Sequence, residues 1–108
     1  MAEVSSERPS ILRVQYIFRV QPENIARLHA SWQQIVDAHI AAEHGALGSM
    51  FLQDAEEEDR CVAISRWQSH HHWKTNNTED VAPEAFEVFN EVCEVESVQV
   101  FLEWEEKR

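Results

Sequence analysis

The sequence predicts an α+β fold of the ferredoxin-like kind, β-α-β-β-α-β: a four-stranded antiparallel sheet with helices on one face. Three observations predict it. Strictly alternating apolar segments stand near both ends of the chain. A long run of helical period follows the first of them. A short hairpin and a second helical region then lead to the last strand.

The first strand is Ile11 to Val20, ILRVQYIFRV. Leu12, Val14, Tyr16, Phe18 and Val20 fall on one face, and Ile11, Arg13, Gln15, Ile17 and Arg19 on the other. A period of two with β-branched and aromatic residues is a strand signature. Pro22 ends it, because proline gives no N–H to a ladder and suits a first helical turn. From Glu23 to His44 the period lengthens: Ile25, Leu28, Trp32, Ile35, Val36 and His39 or Ile40 recur at three and four residues. That predicts an amphipathic helix of about five to six turns. Gly45 is expected to cap it.

Ser49 to Gln53 reads as a short strand, and Asp54 to Asp59 as the polar connection of a hairpin. Arg60 to Trp67, RCVAISRW, is the strand at the centre of the chain's organisation. Val62 and Ile64 take one face; Cys61, Ala63 and Trp67 take the other. Ser69 is a good N-cap for a short helix through His70, His71, His72 and Trp73, with Asn76, Asn77 and Thr78 expected to break it. Pro83, Phe86, Phe89, Val92 and Cys93 mark a further helical segment. Ser97 to Trp104, SVQVFLEW, alternates again as the last strand.

The chain has 108 residues, which suits one domain over residues 11–105 behind a flexible tail over residues 1–10. That tail lacks the apolar centre of a signal peptide, and no run approaches the roughly twenty apolar residues of a spanning helix. The formal charge of −11 argues against nucleic acid and anionic membrane as partners. Cys61 and Cys93 belong to no metal-binding spacing and read as reduced thiols in a cytoplasmic protein.

Six histidines are the candidates for proton chemistry. His70, His71 and His72 are consecutive, so on a helix they fan out by about 100° each. That is poor geometry for zinc, and no metal or other cofactor is expected. A single general base from this trio, His70 or His71, remains an option beside the reading of plain surface histidines. His39 and His44 are five apart and diverge on a continuous helix. His29 and Trp32 are three apart and share a helix face, either toward a cavity or at the core edge. Arg13, Gln15 and Arg19 share the mixed face of the first strand, placed to bind an acidic ligand or to form ion pairs across a dimer.

At His44-Gly45-Ala46-Leu47-Gly48, then SMFLQD, then RCVAISRWQSHHHW, the chain resembles the antibiotic biosynthesis monooxygenase-like family of dimeric α+β barrels. The matching features are the Gly45-Ala46-Leu47-Gly48 turn and Arg66-Trp67-Gln68-Ser69, over about Leu12 to Trp104. The resemblance implies a homodimer with its sheets face to face. The bare sheet face is also too apolar to leave in water. The resemblance further implies oxygenation of a phenolic or quinol-like aromatic, without metal or flavin, in an apolar cavity between sheet and helices. There a polar side chain binds the substrate hydroxyl and helps deprotonate it. Trp67 stands at the strand end as in the family pattern. Where that pattern has an Asn four residues earlier this chain has Ala63. Where it has a Tyr six residues later this chain has Trp73. The haem-degrading branch is not matched: the first strand offers Gln15 and no Asn, and no His follows His72.

Two readings follow. One is a small cofactor-independent monooxygenase, with Trp67, His70 and His71 catalytic and Trp73, Trp32, His29, Gln15 and Arg13 binding substrate. The other is a non-catalytic barrel that binds a small ligand or serves in stress, motivated by Ala63 and Trp73. Cavity geometry discriminates between them.

Overall fold

A computed structural model describes residues 10–76 and 78–104. The expected tail up to residue 9, the helix-breaking Asn77 and the terminal residues 105–108 lie outside the described residues. The strands are β1 (Leu12–Val20), β2 (Ala46–Gln53), β3 (Arg60–Trp67) and β4 (Cys93–Leu102). The helices are α1 (Ile25–Ala41), α2 (His70–Thr75), α3 (Thr78–Val81) and α4 (Pro83–Val92). The sheet is antiparallel in the order β2-β3-β1-β4, and the helices pack on one face of it. This is the ferredoxin-like arrangement expected from the pattern.

The alternation of β1 decides which way every other strand faces. Leu12, Val14, Phe18 and Val20 are buried under the helices. Their register partners on β3 are Trp67, Ser65 and Cys61, with Ala63 opposite Tyr16. Helix α1 adds Leu28, Trp32, Ile35 and His39 at helical spacing, and α4 adds Ala85, Phe89 and Val92. Phe18 is fully buried at the centre, with its ring 5.6 Å from Trp32 and 5.4 Å from Phe89, both edge-on. Aromatic pairs in that geometry add to what burial contributes. A second, smaller cluster of Leu12, Val14 and Trp67 lies toward α2, with Tyr16, Ala46 and Trp73 packed on it.

Several boundaries differ from expectation, each for a local reason. Helix α1 is preceded by a 3₁₀ turn at Pro22–Asn24 and stops at Ala41. Its end is a Schellman turn: Glu43 N–H donates to the Ile40 carbonyl (3.0 Å) and His44 N–H to that of His39 (3.1 Å). The left-handed residue there is Glu43, at φ 58°, rather than Gly45. Gly45 instead has φ 93° and sits against the His72 ring, where a Cβ would come within 2.5 Å of Cδ2. Thr78 starts the one-turn α3 instead of only breaking a helix.

Cys93 opens β4 rather than closing α4, because that helix passes straight into the strand. The alternation then slips by one residue. Ile17 pairs with Ser97 but Phe18 with Val95, which leaves Glu96 as the extra residue of a bulge. A search for strict alternation therefore sees only the part beyond Ser97.

Among the described residues, the other face of the sheet carries no helix. Its central rows are Met50, Ile64, Gln15 and Gln99, then Leu52, Val62, Ile17 and Ser97. Met50 and Leu52 are exposed, as is Phe101 in the row of Arg13. At one end Arg13 and Arg66 converge on Glu103, with Arg66 Nε 2.7 Å from its carboxylate. At the other end Arg19 meets Glu57 (2.9 Å), Asp59 (3.1 Å) and Glu96 (2.9 Å).

Candidate functional site

The strand alternation puts one set of polar groups into an otherwise apolar layer. Tyr16 lies on the helix side of β1, between Ala63 of β3 and Val98 of β4. Its hydroxyl oxygen accepts a hydrogen bond from Trp73 Nε1 of α2 at 3.2 Å and is hydrogen-bonded to Ser65. Ser65 Oγ accepts from Trp67 Nε1, also at 3.2 Å. Tyr16, Trp73, Ser65 and Trp67 thus form one connected chain of polar atoms between sheet and helix. Burial raises the Tyr16 pKa, against the opposing effect of the hydrogen bonds from Trp73 and Ser65, so the phenol stays protonated at neutral pH.

Beside Tyr16, Val14 and Leu12, the β4 residues Val98, Val100 and Leu102 share the same face. All three are between 43% and 49% exposed, so no helix among the described residues covers this wall.

The residues singled out from sequence separate into three places. Trp67 and Trp73 come together with Tyr16. His70 is exposed at the rim of that group, with its ring 5.6 Å from Trp73 and edge-on. His71 is exposed and makes its ring contact with His72 instead. His29 lines a cleft of about 200 Å3 between α1 and β2 with Val36, Ser49 and Phe51. Trp32 bridges the two places: it lines that cleft, and its ring is edge-on to Tyr16 at 5.0 Å. In the cleft the Trp32 indole N–H donates to Ser49 Oγ at 2.7 Å. Arg13 and Gln15 lie on the bare face, where they bond Glu103 and Gln99. They cannot share a site with Trp67 across the sheet, because successive side chains of a strand point to opposite faces.

Sequence spacing missed Tyr16, Ser65 and His39. A phenol in an otherwise apolar stripe was the signal for the first, since a buried hydroxyl needs a partner. Ser65 stands two residues before Trp67 on the same face. His39 was obscured by treating the helix as continuous to residue 44. The helix ends early, and the Schellman turn folds His44 back over it. The pair converges, with the two Nδ1 atoms 3.1 Å apart. His39 Nε2 lies 3.0 Å from Thr78 Oγ1, and its ring is edge-on to Trp67 at 5.2 Å. Burial, and then the charge of His44, lower the pKa of His39.

Cys61 and Cys93 are free, and burial raises both thiol pKa values, that of Cys93 to about 11. Both stay protonated and weakly nucleophilic at neutral pH. Among the described residues no group of three or more His, Cys, Asp or Glu side chains is arranged to hold a metal ion. Nor is any described helix long and apolar enough to cross a membrane.

A sequence model of the antibiotic biosynthesis monooxygenase family matches residues 11–91. The chain belongs to this family. Its fold is similar to SnoaB, a cofactor-independent oxygenase from Streptomyces nogalater, at a TM-score of 0.68 and 13% identity over 90% of this chain and 96% of that one. It is also similar to a conserved protein from Methanosarcina mazei (TM-score 0.67, 14% identity, 94% and 99% covered). A protein of unknown function from Bacteroides thetaiotaomicron is similar too (TM-score 0.69, 15% identity, 88% and 99% covered). At these identities the likeness shows a shared fold. No curated protein matches the sequence.

Proposed function

We propose that this family member is a monooxygenase that oxidises a phenolic or quinol-like molecule on the helix side of the sheet, without metal or flavin. The observation that carries the reading is the hydroxyl pair Tyr16 and Ser65, tied to Trp73 and Trp67 and open toward the β4 wall. The family resemblance expects a polar group near Trp67, and Ala63 and Trp73 do not supply it in the family's way. Tyr16, which is opposite Ala63 and bonded to Trp73, supplies a hydroxyl from β1 instead.

The chemistry divides among these groups. The neutral Tyr16 hydroxyl donates to the substrate oxygen and favours its anion. His70, at the rim and in contact with solvent, accepts the proton the substrate loses. The electron-rich anion then reacts with dioxygen against the apolar β4 wall. For a phenol going to a quinone, one oxygen atom enters the ring and the other leaves as water. The four electrons lost by the substrate are the four that dioxygen takes.

The protein acts as a homodimer through the bare sheet face, where Met50, Leu52, Ile17, Val62 and Ile64 form an apolar band. Two protonated thiols fit a reducing, cytoplasmic setting.

Oxygen uptake with a panel of hydroquinones and naphthols tests the reading. The wild type consumes oxygen with at least one of them, and Tyr16→Phe loses about a hundredfold in kcat, the scale of one lost donor. Absence of uptake across the panel, from protein that is folded and dimeric by sedimentation, overturns it. Saturable binding without uptake would leave a ligand-binding barrel.

A further inference from the structure

We infer that His39 is a positioning residue for Trp67, and that its contact with His44 makes this positioning sensitive to protons. The catalytic consequence rests on the reading just proposed; the positioning itself does not.

The geometry carries the inference. His39 is buried, at 2% exposure, below the Trp67 ring. Both of its ring nitrogens are engaged, Nδ1 with His44 Nδ1 and Nε2 with Thr78 Oγ1. The imidazole is therefore fixed from α1, from the turn after α1 and from α3 at once. A ring held at both nitrogens is a rigid support for the indole resting on it, and Trp67 Nε1 then aims at Ser65. The support is indirect, because His39 reaches the polar chain only through Trp67.

Proton counting gives the sensitivity. With both histidines neutral, one Nδ1 donates and the other accepts, and the other His39 nitrogen matches the Thr78 hydroxyl. One proton more is tolerated when His44 carries it, since His44 Nδ1 then donates to His39 Nδ1 while His39 Nε2 donates to Thr78 Oγ1. A second proton removes the remaining acceptor and sets two like charges together in a buried place, so the pair must separate. Other titratable and polar groups surround the pair. His72 of α2, beside Gly45, has its Nδ1 2.6 Å from Ser69 Oγ. Trp67 offers an indole. The carboxylates of Glu43 after α1 and of Glu79 and Asp80 on α3 belong to exposed residues.

The test reads tryptophan emission and histidine NMR between pH 5 and 8 without substrate, and kcat and KM separately with it. It uses the wild type, Trp67→Phe, His44→Gln and His39→Gln. A protonated imidazole quenches a touching indole, so the wild type shows an emission change that follows the His39 titration and is lost in Trp67→Phe. His44→Gln keeps a hydrogen-bonding partner but removes the like charge, so the midpoint moves to higher pH. His39→Gln removes the titration and lowers kcat about tenfold with KM little changed, the mark of misplaced machinery. Emission that is flat with pH, or a midpoint unmoved in His44→Gln, overturns the inference. The His44→Gln arm leaves the buried residue in place, so it decides even if His39→Gln does not fold. A titrating Trp67 in a protein without oxygen uptake would sink the proposed reaction and leave this inference standing.

Discussion

Gly45→Ala is expected to destabilise the fold by about 2 kcal/mol, and the figure follows from two separate costs. Gly45 holds φ 93°, and a left-handed conformation costs an L-residue about 1–2 kcal/mol. The new methyl would also meet His72 at 2.5 Å from Cδ2, 2.6 Å from Cγ and 2.9 Å from Cβ. That ring cannot turn away freely, because its Nδ1 is hydrogen-bonded to Ser69 Oγ at 2.6 Å and Ser69 caps α2. Losing that bond adds about 1 kcal/mol. The stiffer unfolded chain returns about 0.4–1 kcal/mol. Urea denaturation gives the total, and two further variants divide it. Gly48→Ala has φ 149° but no atom within 4 Å of the added carbon, so it bears only a backbone cost. Gly45→Ala combined with His72→Ala relieves the overlap. If Gly45→Ala is no worse than Gly48→Ala, or the His72 change restores nothing, the contact argument is wrong.

Glu43→Gly places glycine at the left-handed position of the Schellman turn and should stabilise the protein by about 0.5–1 kcal/mol, read from the urea midpoint. Phe18→Ala empties the centre of the larger core cluster and should cost about 3–5 kcal/mol by the same measurement. His39 has a folded-state pKa below its unfolded one, so the unfolded chain binds more protons below about pH 6.5. Stability should therefore fall as pH drops through that range, and His39→Gln should flatten the fall. Glu103 has its carboxyl pKa lowered to about 2 by hydrogen bonds from Arg66 and then Arg13. Its contribution is complete above about pH 4.5 and is lost as pH falls toward 2, so Glu103→Gln should reduce the slope of stability against pH in that window.

The fold was legible because its signals are periodic. The stripe Leu12, Val14, Tyr16, Phe18 and Val20 fixed both the first strand and its buried side. The ends of elements were less legible, because they depend on single residues whose geometry competes with pattern. Glu43 takes a conformation that glycine usually takes, and Glu96 shifts the phase of a strand without interrupting it. The candidate site was half legible. Trp67 and Trp73 were visible as large aromatics on either side of a helix cap. Their partners Tyr16 and Ser65 lie 49 residues apart in sequence, and strand register alone makes them neighbours. His39 and His44 required knowing where a helix stops.

The arginines of the sheet have one more consequence. Arg13, Arg19, Arg60 and Arg66 all occupy the uncovered side, each within 4 Å of a carboxylate, while the molecule as a whole carries a formal −11. Its excess anionic character is therefore carried by the helical side and the loops. Two copies drifting together repel when backs or flanks approach and do so least when the two uncovered sides meet. For the homodimer proposed above, the field would thereby select an encounter orientation before any apolar surface touches. Added salt should make encounters more frequent and less selective.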